Sequence, residues 1–208
     1  MNKIPKIKVF KYDLPLEALQ DVKDLAIDTE ALGLNCHRDR LCTVQLLINE
    51  SIVYIIHFPT SDYEAPNLKK LLSNSKIPKL FHFARFDVFI IYKYLNVLMQ
   101  NVICTRVLSK IVRTYSDKHG LKHICKELLD VNLNKGEQSS NWAAETLSNT
   151  QIHYAANDVL YLHKLFNILK NMADKEDRYK VAKVVFEIIP HVVFLENNQF
   201  EPMGLIEH

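Results

Sequence analysis

The chain has 208 residues, 48% hydrophobic and 24% charged, a balance that argues against disorder and allows one domain with its own core. Its 26 lysines and arginines face 24 acids, so the net charge of +2 does not by itself mark a polynucleotide binder. The four glycines, Gly33, Gly120, Gly136 and Gly204, form neither G-x-G-x-x-G nor G-K-[S/T], which argues against a Gly-cradled nucleotide cofactor.

In chain order, KIKVFKYDL predicts a short edge strand and PLEALQDVK a helical turn or two. Three strand-like runs follow at 24–30, 41–48 and 52–58. Asn49-Glu50, or the three residues to Ser51, would link the second and third as a hairpin. LKKLLSNS has helical spacing, PKLFHF reads as a buried strand, ARFDVFIIYKYL as a helix and NVICT as another buried strand. The rest is helical: RVLSKIVRTY, LKHICKELL, and one long helix through QIHYAANDVLYLHKLFNILKNMADK with Ser148 or Asn149 as N-cap. A last amphipathic helix, EDRYKVAKVVFEII, is expected to stop before Pro190. This order predicts an α/β fold, a single domain over 1–208 with a mixed sheet, its first strands antiparallel and its later ones in βαβ crossovers. Cys36, Cys42, Cys104 and Cys125 form no C-x-x-C, and no apolar run approaches the roughly 20 residues that span a bilayer. Together with an N-terminus lacking a secretory h-region, this predicts a reduced, cytoplasmic protein with no membrane partner.

The informative positions are carboxylates in apolar surroundings. Asp28 and Glu30 end a hydrophobic strand, and the side-chain period of two puts both on one face with Thr29 on the other. Asp87 is the one acid in FHFARFDVFIIY, and Asp158 sits in the helical YAANDVLYLHKLF with Tyr154 four residues earlier on the same face. Each has an ordinary explanation alone: a strand end, a helix N-terminus, a solvated helix position, a packing aromatic. Burying a lone carboxylate costs several kcal/mol unless something pairs with it, so four such acids together are best explained if they converge on cations. Oxygen ligands without a His/Cys set select Mg²⁺ or Mn²⁺, and two such ions about 4 Å apart make a phosphodiester-cleaving site.

Asp28-Thr29-Glu30, His82-Phe83-Ala84-Arg85-Phe86-Asp87 and Tyr154-Ala155-Ala156-Asn157-Asp158 resemble the three exonuclease motifs of the DEDD superfamily, Y-x-x-x-D marking the DEDDy branch. The stretch from HGLKHICK to NDVLYL is similar to the ribonuclease D family, and the resemblance covers roughly residues 20 to 170. The length and the FARFDV and HGLK wording resemble compact alphaproteobacterial ribonuclease D-like proteins. The resemblance implies a ribonuclease H-like exonuclease fold and 3′→5′ hydrolysis of single-stranded RNA ends, releasing nucleoside 5′-monophosphates with two divalent ions, Mg²⁺ or Mn²⁺. By it Asp28 would bridge the ions, Glu30 and Asp158 would complete one site, and Asp87 would reach the other through water. Tyr154 would orient the attacking water rather than deprotonate it, because a tyrosine of pKa near 10 is a poor base at pH 7.

The resemblance also places substrate contacts. Leu32, Gly33 and Leu34 follow the D-x-E strand, where Leu34 would stack on the last base and Gly33 would allow close backbone approach, or the segment is an ordinary turn with a core leucine. Arg85 would meet a phosphate and His82 would orient a carboxylate; Lys135 and Trp142 match family positions near the site without an assigned role. From Arg106 to Lys135 seven bases face three acids, a local +4 that would attract phosphates, whereas 137–208 carries −4. Two departures stand out. Cys104 occupies a position where the family commonly has an acid, and only fifty residues follow Asp158 where larger relatives carry helical RNA-binding domains. No residue visibly reads a 2′-hydroxyl, so DNA with the same chemistry is the alternative substrate, and a non-catalytic nucleic-acid-binding module the more distant reading.

Overall fold

The computed structural model describes residues 6–133 and 136–207. Six strands form one sheet: β1 (Lys6–Lys11), β2 (Leu25–Ala31), β3 (Leu41–Ile48), β4 (Ile52–His57), β5 (Lys79–Phe81) and β6 (Val102–Cys104), in the order β1-β4-β3-β2-β5-β6. All eight residues of β3 are buried, which is why that strand reads as an unbroken apolar run. β3 alone runs against the others, antiparallel to both β2 and β4. β5 and β6 continue in parallel beside β2.

β1 lies at the edge as its composition predicts, but it pairs parallel to β4 rather than antiparallel. After β1 a single 3-10 turn, Leu16–Leu19, carries the chain to β2 in the middle of the sheet. The β2–β3–β4 meander then grows back outward and brings β4 beside β1 in the same direction. The β3–β4 link is Asn49 to Ser51. Asn49 and Glu50 are both left-handed (φ 49° and 53°), and the Asn49 side chain bonds the Lys23 amide and the Asp21 carbonyl at 2.8 Å each.

Among the described residues seven helices cover the sheet: α1 (Pro66–Ser73), α2 (Ala84–Leu95), α3 (Thr105–Val112), α4 (Leu121–Leu129), α5 (Asn149–Leu160), α6 (Leu162–Lys175) and α7 (Tyr179–Asn197). They divide the interior in two. Leu25 and Ile27 of β2 face a large cluster with Val88, Leu108, Leu169 and Val193, while Ala26 faces a smaller one with Trp142, Ala155 and Val159. The predicted long C-terminal helix is broken at Tyr161 (φ −106°, ψ −2°). The break lets α5 pack in the smaller cluster and α6 turn its Leu165, Leu169 and Ala173 into the larger one.

The predicted stop before Pro190 is also overturned, because α7 runs through it to Asn197. Ala182, Phe186, Ile189 and Val193 form one buried stripe that spans the proline. An interior proline costs about 3 kcal/mol, and each large apolar side chain of that stripe recovers roughly 1.5–3 kcal/mol on burial. Among the described residues no helix is long and apolar enough to cross a membrane, and the four cysteines are free thiols.

The first residue of β5 is a fully buried lysine. Lys79 Nζ donates to the carbonyls of Asn74 (2.7 Å), Ile77 (2.9 Å) and Gln100 (3.1 Å), tying the start of the strand to the turns on either side. Lys79→Met keeps the stem but strands three acceptors, so the unfolding free energy read from a urea titration should fall by about 1–3 kcal/mol.

Candidate active site

The site is built at the carboxyl end of β2. The alternation of that strand gives its two faces separate tasks. Asp28 and Glu30 share the face of Ala26, which packs under α5, and both stay partly open to a cleft. Thr29 points to the opposite face, is buried, and donates its hydroxyl to Asp87 Oδ1 at 2.7 Å. Asp87 stands in the first turn of α2, so it reaches the end of β2 from the other side of the sheet.

Helix α5 brings Tyr154 and Asp158. Its start is fixed by a capping box: Ser148 Oγ accepts from the Gln151 amide (3.2 Å), and Gln151 Oε1 accepts from the Ser148 amide (2.9 Å). The Gln151 amide group also donates to Ser140 Oγ (2.9 Å) and the Asn141 carbonyl (3.1 Å), anchoring the preceding loop on the helix. One turn apart, Tyr154 and Asp158 face the cleft together, and their side chains hydrogen-bond each other.

One carboxylate oxygen from each of Asp28, Glu30 and Asp158 lies within 4.8 Å of the others. Asp87 stands outside that trio but close enough to repel it. Burial, then the charges of Asp87, Asp158 and Glu30, hold the Asp28 carboxyl well above the usual carboxylate range. Burial first and Asp158 second push Glu30 up to about 9. Burial pushes Asp87 up to about 7 even though the Thr29 hydroxyl pulls the other way. Tyr154 is pushed far above its ordinary value by burial and the neighbouring acids, so its hydroxyl keeps its proton. A cluster of hard oxygen donors whose charges disfavour one another, with no His or Cys in the set, fits a divalent cation such as Mg²⁺.

The cleft beside these acids has a volume of about 780 Å³, within the range of small-ligand sites. Leu32, Gly33 and Leu34 line it, and the two leucines are strongly exposed rather than core residues. Gly33 has a second reason to be glycine: a Cβ there would stand 2.3 Å from Asp39 Oδ2. His82 also lines the cleft but orients no carboxylate. Thr105 Oγ1 donates to the Phe81 carbonyl (3.0 Å), which leaves it to accept from His82 Nδ1–H (2.9 Å), so the ring is a brace between β5 and α3. Burial, with Arg106 nearby, pushes His82 down to about 3 and keeps it neutral.

Of the other predicted contacts, Arg85 lies away from the cleft and Trp142 lies near the site but behind its lining. Arg85 is outside the cleft and forms a bidentate ion pair with Glu196 of α7. At 100° per residue it points away from Asp87, two positions on. Trp142 is buried beneath Tyr154, ring centroids 6.0 Å apart, where it backs that ring instead of meeting solvent. Lys135 falls outside the described residues. The structure adds cleft residues that sequence reasoning missed: Phe83, Arg106, Lys122 and the Gln138–Ser140 loop. Arg106 and Lys122 had been counted only as members of the basic segment. Of that segment, Arg113 is buried against Glu127 and Lys126 is paired with Asp130; among the described residues Arg106 and Lys122 line the cleft.

The match of a protein-family model, 3′-5′ exonuclease, extends over residues 13–174. Among proteins of known function, the chain is 31% identical over 162 residues to DNA polymerase I of Aquifex aeolicus, covering 78% of this chain and 26% of that one. It is 28% identical over 151 residues to ribonuclease D of Haemophilus influenzae, covering 73% of this chain and 37% of that one. The chain thus spans well under half the length of either relative. A solved structure of Brucella melitensis NrnC bound to pGG superposes with a TM-score of 0.88 at 44% identity, over 98% of this chain and 97% of that one. A second NrnC structure, with bound Mg²⁺, gives 0.87 at 43% identity over 98% and 96%.

Raised carboxyl pKa values make the metal-free protein sensitive to alkali. Each such group holds its proton more tightly folded than unfolded, so its contribution to stability is full below about pH 4 and is lost as the pH rises through the folded value. The window runs through about 7 for Asp87 and about 9 for Glu30. With EDTA present, Tm should fall steadily between pH 6 and 9. Added Mg²⁺ should restore it, and by more at pH 9 than at pH 6.

Proposed function

Because the chain belongs to the 3′-5′ exonuclease family, we propose that it hydrolyses single-stranded RNA from the 3′ end, releasing nucleoside 5′-monophosphates with two divalent cations, Mg²⁺ or Mn²⁺. The observation that carries this reading is the convergence of Asp28, Glu30 and Asp158 within 4.8 Å beside an open cleft. Asp28, Glu30 and Asp158 would hold one cation, and Asp87, arriving from the opposite face, would serve a second. When bound, the cations would draw charge from the scissile phosphodiester and make a water a stronger nucleophile. The Mg²⁺ in one NrnC structure and the pGG in another support such a ligand set.

The protein's own groups do the positioning. Tyr154 keeps its proton and donates a hydrogen bond to Asp158, so its oxygen can accept a hydrogen bond from the attacking water and aim it. Trp142 behind the ring limits where that hydroxyl can go. Leu32 and Leu34 offer the terminal base an apolar surface at one side of the cleft, while Lys122 and Arg106 supply positive charge for the phosphates. The same chemistry on DNA is the second reading, favoured by the similarity to DNA polymerase I.

Asp28→Ala should reduce Mg²⁺-dependent degradation of a 3′-hydroxyl RNA oligomer by at least about 100-fold while circular dichroism stays native. Activity equal to wild type would overturn the site assignment. Tyr154→Phe should lower kcat by roughly 100-fold with KM little changed. Matched RNA and DNA oligomers decide the substrate, and faster cleavage of DNA would replace the RNA reading.

A further inference from the structure

The strands beside the acids carry buried polar side chains that no step above uses. In the sheet register Asp28 stands opposite Gln45, and Glu30 stands opposite Thr43, which is opposite His57 in turn. Directly opposite residues share a face, so Gln45, Thr43 and His57 lie on the α5 side of the sheet with the two acids. All three are buried. The Gln45 amide nitrogen donates to Thr43 Oγ1 at 2.9 Å. His57 Nε2 lies 3.3 Å from the Trp142 carbonyl, which can only accept, so Nε2 carries the proton. Burial pushes His57 down and keeps it neutral. Two atoms in this layer have no hydrogen-bond partner among the described residues: Gln45 Oε1, an acceptor, and Trp142 Nε1, a donor. Orphaned buried groups are costly, and apolar residues would fill the same places without that cost, so packing alone does not account for them. A buried acceptor and a buried donor in one layer are a pair that a single water satisfies.

We propose that His57, on the Trp142 carbonyl, and Gln45, through one buried water on the Trp142 indole, are positioning residues that set where the Tyr154 hydroxyl stands. This rests on the exonuclease reading and deepens it. Gln151 ties the Asn141 carbonyl to α5 at 3.1 Å, and His57 holds the next residue from β4, so the main chain at Trp142 is clamped between helix and sheet. The bridge from Gln45 fixes the other end of the residue, its indole nitrogen. With main chain and ring both held, Trp142 gives the Tyr154 ring, 6.0 Å away between centroids, a fixed backing. The aim of the tyrosine oxygen on the attacking water then depends on side chains that touch neither metal nor substrate, and a displacement of about 1 Å is enough to cost up to roughly 100-fold in rate.

Two measurements test this: cleavage of a 3′-hydroxyl RNA oligomer in Mg²⁺, and the fluorescence of Trp142, the chain's one tryptophan. Gln45→Leu removes the acceptor, and Trp142→Phe removes the indole N–H while keeping an aromatic ring. Each should lower kcat about 5- to 20-fold with KM little changed, and the double variant should lose no more than the worse single, because both break one bridge. His57→Phe should lower kcat to a similar extent, and His57→Gln, whose Nε2 reaches the place of the imidazole Nε2, should restore it. In the Tyr154→Phe protein none of these changes should cost more than about twofold, since the hydroxyl they aim is gone. Gln45→Leu should also move the Trp142 emission to shorter wavelength, as the indole loses its polar neighbour. Losses that multiply in the double variant, losses that persist in Tyr154→Phe, or an unmoved emission overturn the positioning role. A wild-type protein that leaves the oligomer intact would overturn the exonuclease reading instead, and the emission would still report whether Gln45 and Trp142 are joined.

Discussion

Mutual repulsion among the carboxylates at the end of β2 is the constraint around which the rest of the molecule is arranged. Four acids from three separated segments are gathered where the protein screens them poorly, and burial is the largest cause of the upward shift in Asp28, Glu30 and Asp87. Among the described residues, neutral donors reach two of them: the Thr29 hydroxyl and backbone amides at Thr29 and Asp87 bond Asp87, and the Tyr154 hydroxyl bonds Asp158. The apolar sheet, the capped start of α5 and the buried Trp142 hold this unfavourable arrangement in place. Such a site favours positive charge beside it.

The sheet decides how the demand is distributed. Because side chains alternate along β2, Asp28 and Glu30 meet α5 on one face while Thr29 reaches α2 on the other. Three acids then cluster tightly and the fourth stands off. The same division explains the break at Tyr161, where the chain leaves one apolar cluster for the other.

Features set by short-range periodicity were legible in the sequence: the shared face of Asp28 and Glu30, the Tyr154–Asp158 pairing on one helix, and Ser148 as a cap. Features set by long-range packing were not. The approach of Asp87 from the far face depends on where α2 docks. The continuation of α7 through Pro190 depends on a buried stripe whose value exceeds the local rule. The direction of β1 depends on the route of the β2–β3–β4 meander. Arg85 illustrates an intermediate case. Its proximity to Asp87 in the chain suggested a shared role, yet helical geometry turns residues two apart to nearly opposite sides. Phe83 gives no signal of its own in the sequence, since a left-handed backbone is invisible to composition.

The ion pair between Arg85 and Glu196 spans two regions of different standing. Arg85 stands two residues before Asp87, inside the stretch matched by the exonuclease family model; Glu196 lies more than twenty residues beyond the end of that match at 174. The last helix is therefore tied by an ion pair to the helix that carries Asp87. Family likeness and structural contact thus end at different places in this chain, for the last helix packs on the helix of Asp87 although it lies beyond the match.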